Sequence, residues 1–153
     1  MSYDLTLHTK KSSAVPTLEY VRSVHDELRR SMNASSAWFE LGLHEPRAAD
    51  AKWFLENDGF FDPQCKRAFD AFCQQRQIKS DPLTEETALA FMNHQDGAHL
   101  ASVTLPSDDK SCATVFRAVV EFARRSGLRV ADPQAGGDVD LERPGDYPPF
   151  WKK

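Results

Sequence analysis

Three cysteines and five histidines hold most of the chemistry that this sequence of 153 residues can offer. Cys65 and Cys73 share an apolar helix face with Phe69 and Phe72. A metal site wants thiolate or imidazole ligands within a turn of each other, so both thiols are expected in a core. Cys112 falls in the first turn of a helix, where the macrodipole lowers a thiol pKa. Asp108 and Asp109, just upstream, oppose that shift, and no histidine is near in sequence; Cys112→Ala is expected to do little. His94 and His99 flank Asp96-Gly97, and His44 ends an alternating run. These imidazoles meet around a metal only if a hairpin joins them and a carboxylate adds a ligand. His25, Asp26 and Glu27 are consecutive, point to different sides of a helix and cannot form a triad. There is no GxSxG, P-loop, GxGxxG or HExxH. No metal, no cofactor and no catalytic residue are therefore expected. A small enzyme with a site near Cys112, His94 or His99 is the alternative.

One constellation suits binding instead. Tyr3 to Thr9 alternates, with Tyr3, Leu5 and Leu7 opposite Asp4, Thr6 and His8. Ala37 to His44 does the same, with Phe39, Leu41 and Leu43 opposite Trp38, Glu40 and Gly42. If the apolar sets fill the core, the other sheet face shows Asp4, Thr6, His8, Trp38, Glu40, Ser102 and Thr104. Acids beside an aromatic anchor suit a protein interface. Asp4, His8, Trp38 and Glu40 are the candidate partner-binding residues.

The elements that position these residues follow from spacing. Pro16 opens a helix with Leu18, Val21, Val24, Leu28 and Met32 on one stripe. Pro46 opens a short helix to about Glu56, with Ala48, Ala51 and Leu55 on one side. Asp62-Pro63 starts a third that ends near Gln77. Residues 83–105 read two ways. Thr84-Glu85-Glu86 suits a helix start, but a hairpin across Gln95-Asp96-Gly97 is slightly favoured, its second arm turning His99, Ala101, Val103 and Leu105 one way and Leu100, Ser102 and Thr104 the other. Ser111 caps a helix carrying Val115, Val119 and Phe122, which Gly127 ends, and Leu128 to Ala131 is a strand. From Asp132 on, Pro and Gly forbid regular structure; Phe150 and Trp151 are expected to pin this tail. Asp-Pro-Gln occurs at both Asp62 and Asp132, which is too short a match to use as a repeat.

Hydrophobic residues make up 41% and charged residues 27%, as in an ordinary globular domain. The net charge of -4 and short, scattered basic pairs argue against nucleic acid as partner. No run is long enough to span a membrane, and the start lacks a basic and then apolar leader. With cysteines odd in number and not in CxxC spacing, reduced thiols in a cytoplasm are expected.

The opening Met1-Ser2-Tyr3-Asp4-Leu5, and Gly127-Leu128-Arg129-Val130 followed by Asp132-Pro133-Gln134, resemble a group of small bacterial proteins similar to the immunity proteins found beside secreted polymorphic toxins. The likeness covers about the first eight and the last twenty-five structured residues. Ala131 departs from it where an aromatic often stands, and no functional residue is carried over. The resemblance implies a protein partner, a cognate toxin or effector domain.

The sequence thus reads as an α+β protein: a small antiparallel sheet with helices packed on one face, ferredoxin-like with a helical insertion. Residues 1–134 form a single globular α+β domain, with a Pro/Gly-rich tail over 135–153 packing on it. The expected function is a non-catalytic cytoplasmic binding protein, an immunity-type inhibitor that masks a toxin.

Overall fold

The computed structural model describes residues 3–11, 15–34, 39–44, 46–134 and 136–143. These divide into two compact units, one built on a sheet and one helical. The fold is α+β, with five α-helices and a five-stranded antiparallel open sheet among the described residues. No helix among the described residues is long and apolar enough to cross a membrane.

The sheet unit contains β1 (Tyr3–His8), α1 (Leu18–Asn33), β2 (Glu40–Leu43), β3 (His99–Leu105), α5 (Asp109–Ser126), β4 (Arg129–Asp132) and β5 (Gly137–Asp138). The strand order is β2-β3-β1-β4-β5, and every neighbouring pair is antiparallel. Period-2 alternation turns Leu5, Leu7, Val103 and Val130 into one core, with Phe39 and Leu41 packed against it. Val21, Val24, Leu28 and Met32 of α1 close that core together with Val115, Val119 and Phe122 of α5. Both helices therefore cover the same sheet face.

The ends of these helices differ from expectation in detail. The first helix begins at Leu18 rather than at Pro16, and Thr17 caps it: its hydroxyl accepts from Tyr20 N–H at 3.1 Å. Asp108, not Ser111, caps α5, its carboxylate accepting from Ser111 N–H at 2.9 Å. That hydrogen bond holds the Asp108 carboxyl below its ordinary range. Gly127 ends α5 at φ +69°, and Leu128 N–H closes the turn onto Ala123 O at 2.9 Å, a left-handed cap that places a buried Leu128 against the helix it follows.

The segment after Asp132 is more regular than its prolines and glycines suggest. Gly137 and Asp138 pair with Asp132 and Ala131 as β5, and Val139 is buried. Asp132-Pro133-Gln134 makes this turn. Gln134 N–H donates to Asp132 Oδ1 at 3.0 Å, as Gln64 N–H does to Asp62 Oδ1 at 3.0 Å. The same tripeptide thus builds the same Asx turn twice, once to open a helix and once to leave a strand. Pro133 has no N–H for the β1·β4 ladder. The Gln134 amide takes over: with its nitrogen toward Asp132, it donates to Asp4 O at 3.0 Å and accepts from Asp4 N–H at 3.3 Å. Phe150 and Trp151 lie outside the described residues.

The helical unit contains α2 (Ala48–Asn57), a 3₁₀ turn (Gly59–Phe61), α3 (Pro63–Arg76) and α4 (Glu85–Asp96). Its core is Leu55, Phe69, Phe72, Cys73, Ala88 and Phe91. Phe91 sits between Phe69 and Phe72, at ring-centroid distances of 5.2 and 5.5 Å. Gly59 is closely approached: a Cβ there would stand 3.0 Å from Leu55 Cδ2, so that side chain would have to shift by a few tenths of an ångström. The favoured hairpin over 87–105 is overturned, because Glu85–Asp96 is helical. Thr84 caps it by accepting from Thr87 N–H at 3.1 Å, and Glu85 and Glu86 face the positive end of the dipole. Gly97 adopts φ +71° and donates to Asn93 O at 2.8 Å. A glycine with positive φ serves a helix end as well as a tight turn. The 3.6-residue spacing of Ala88 and Phe91 decides between them.

Candidate functional site

The sheet unit has a second face, away from α1 and α5. Asp4, Thr6 and His8 stand on it in β1 and Glu40 and Gly42 in β2, as their alternation requires. Register brings them together through β3. Thr104 is opposite both Asp4 and Glu40, and Ser102 is opposite both Thr6 and Gly42. Thr104 Oγ1 donates to Asp4 Oδ1 at 2.6 Å, a short bond to an ionised acceptor that fixes the carboxylate on the face. Glu40 is exposed. Trp38 lies outside the described residues.

In β3 the expected facing fails at one end. Leu7 pairs with Ala101 but His8 pairs with His99, so Leu100 is an extra residue on β3. Such a bulge turns two successive side chains to one side. Leu100 joins Ala101 in the core, and His99 crosses to the polar face beside His8. The His8 and His99 rings stack at 5.0 Å, and His44 stacks on His99 at 4.2 Å.

Hydrogen bonds lock this end. His99 Nε2 is 3.2 Å from Ala101 O and 3.2 Å from Ser102 Oγ. A carbonyl only accepts, so this nitrogen carries the proton. Ser102 Oγ is also hydrogen-bonded to His44 Nε2, at 3.2 Å. Thr6 Oγ1 pairs with His8 Nε2 at 3.0 Å. On the other side of His8, Arg129 stands opposite it and forms a two-pronged ion pair with Asp138, at 3.0 and 3.3 Å. The face thus runs from a carboxylate end at Asp4 and Glu40 to an imidazole end at His8. Four residue steps separate these ends along β1, about 14 Å at roughly 3.4 Å each.

Behind the bulge lies His25, for which the sequence suggested no role beyond its inability to form a triad with Asp26 and Glu27. It is buried, and its Nε2 is 3.1 Å from Leu100 O and 3.2 Å from His44 O. One N–H therefore serves the carbonyl of the bulged residue and that of the residue after β2. The only sequence signal for it is position: His25 follows Val24 within the stripe between Val21 and Leu28. Arg129, Asp138 and Gln134 carried no signal beyond their charge or amide.

The residues of the alternative enzymatic site belong to both units. Cys112 is wholly buried in the sheet-unit core, on the face opposite His99. Its thiol is pushed up to about 11 by burial, with Asp109 and Asp108 adding to the effect. The first-turn dipole is overridden, and the expectation that Cys112 matters little to the core is corrected. His94 belongs to the helical unit, where its ring lies 5.3 Å from that of Phe72 and its Nδ1 is 3.5 Å from Arg76 Nη2. Cys73 is buried and Cys65 half-buried. Burial raises both thiols, Asp62 adding at Cys65 and Asp70 at Cys73 against Lys66. Among the described residues no group of three or more His, Cys, Asp or Glu is arranged to hold a metal ion; His8, His99 and His44 meet ring face to ring face, which turns their lone pairs aside.

No family model, curated protein or solved structure matches this chain.

Proposed function

We propose that this chain is a non-catalytic cytoplasmic binding protein, an immunity-type inhibitor that masks a bacterial toxin with the carboxylate end of its open sheet face. The observation that carries this reading is the register of Asp4 and Glu40 on either side of Thr104, with the Asp4 carboxylate held by the Thr104 hydroxyl. A fixed carboxylate loses little freedom on binding, and an exposed one beside it steers a basic partner. The net charge of -4 acts in the same direction. Toxins that act on nucleotides or nucleic acid present basic clefts, which acids of this kind fill. Trp38 is the aromatic anchor in this reading, two residues before Glu40.

The sheet is read as ferredoxin-like. The order β2-β3-β1-β4, with α1 between β1 and β2 and α5 between β3 and β4, supports that reading. The helical unit is then an insertion between β2 and β3, and β5 an added edge strand. The tagged full chain, used to capture proteins from its native cells, tests the functional reading. A single stoichiometric protein partner is expected. Turnover of a small molecule by the purified chain, with no partner recovered, would replace it with an enzymatic one.

A further inference from the structure

β2 is an edge strand, and its hydrogen bonding leaves half of its backbone facing outward. His44 N–H donates to Leu100 O at 2.9 Å. In an antiparallel ladder, bonded and non-bonded pairs alternate. Gly42 opposite Ser102 and Glu40 opposite Thr104 are then bonded pairs, and the N–H and C=O of Leu41 and Leu43 point away from β3. No other strand lies beyond β2 among the described residues. Proteins guard such edges with short strands, charged side chains, proline or a bulge; of these β2 has its four-residue length and Glu40. Here the strand is Glu-Leu-Gly-Leu, and the Leu43 side chain is 37% exposed.

We infer that the β2 edge receives an extended segment of the protein partner, which adds a sixth strand to the sheet. This rests on the binding reading above and names how that partner docks. Main-chain hydrogen bonds to Leu41 and Leu43 supply the pairing, and side chains select the sequence. An added strand places alternate residues beside Glu40 on the polar face and beside Leu41 and Leu43 on the apolar side. Opposite charges across a strand pair attract and like charges repel. The segment that fits therefore alternates basic with apolar residues. A second copy of the chain is disfavoured, since it would join two bodies each of net charge -4.

The test uses the full chain, labelled with nitrogen-15, and a synthetic peptide of alternating Lys and Val about eight residues long, enough to span an ordinary strand. Amide exchange at Leu41 and Leu43 should slow by about tenfold or more when the peptide binds, while Gly42, already in the ladder, changes little. A peptide with Glu in place of Lys should not bind. Leu43→Pro removes only an outward N–H, a position where an edge strand tolerates proline. It should keep the native spectrum and lose the peptide. Gly42→Pro breaks the inner ladder and should unfold β2, which checks the assignment of inward and outward groups. No binding of the Lys peptide, equal binding of the Glu peptide, or protection that grows with protein concentration alone would overturn the inference. If Glu40→Lys releases the captured cellular partner while Leu43→Pro retains it, the edge inference falls and the binding reading stands. If the peptide protects the edge but cells give no protein partner, the binding reading falls and with it the partner segment, leaving only an edge able to accept a strand.

Discussion

Thr104 holds Asp4 across the β1·β3 ladder by a hydroxyl-to-carboxylate bond of 2.6 Å. The two residues are 100 positions apart in sequence, so folding of the whole sheet unit is needed to set this group. Thr104→Val keeps the branched shape and removes the donor. It should lower stability by about 1–2 kcal/mol, within the range for a partly buried bond to a charged group. Urea denaturation measures it; an unchanged midpoint would mean that the carboxylate is equally well served by water.

His25 is the support of the imidazole end. With its N–H shared between Leu100 O and His44 O, it ties α1 to the bulge that turns His99 outward. His25→Leu fills similar space without the donor and should cost about 1–2 kcal/mol, because His44 O loses this donor while Leu100 O keeps the His44 N–H. The ring signals of His99 and His44 in an NMR spectrum should shift as well. A stable variant with both rings undisturbed would show that the bulge holds itself.

Cys112 makes stability depend on alkaline pH. Its thiol has an ordinary value of 9.0 and is raised to about 11 in the folded chain. Below pH 9 both folded and unfolded states keep the proton, and the contribution is constant. Between about 9 and 11 the unfolded chain loses the proton first, so stability falls as pH rises. Cys65 and Cys73 act with the same sign. Cys112→Ala should flatten part of this alkaline loss, and at neutral pH should cost about 1–2 kcal/mol for the small cavity left in the core. Melting curves from pH 7 to 11 check both; identical slopes for wild type and variant would contradict the assignment.

Alternation makes the sheet face legible in the sequence. Leu5, Leu7 and Leu41 went inward and Asp4, Thr6, His8 and Glu40 outward because a strand has a period of two and one face was apolar. The helices were legible for the same reason at period 3.6, and Asp62-Pro63 and Gly127 marked their ends. Four features were not legible. The bulge at Leu100 adds one residue to β3 and exchanges the facing of His99 and Leu100, and nothing local in His99-Leu100-Ala101 signals it. Gly97 supplies a positive φ that both a hairpin and a helix end use, so the Asp96-Gly97 pair pointed to the wrong one. Cys112 lies in a first helical turn, but the dipole there is outweighed by burial, which depends on α5 packing onto the sheet. The pairing of Asp4 and Glu40 through Thr104 needed the strand order, which alternation does not contain.

The central claim is that the Asp4–Glu40 face binds a protein partner. Its most direct test is the affinity of the captured partner for the wild-type chain and for Glu40→Lys, measured side by side after circular dichroism has shown equal folding. Charge reversal at an exposed steering position should weaken binding by about tenfold or more, roughly 1.4 kcal/mol or greater. Most of the loss should fall in the association rate, and added salt should weaken the wild type toward the variant. Equal dissociation constants for the two proteins, with equal salt dependence, would contradict the claim.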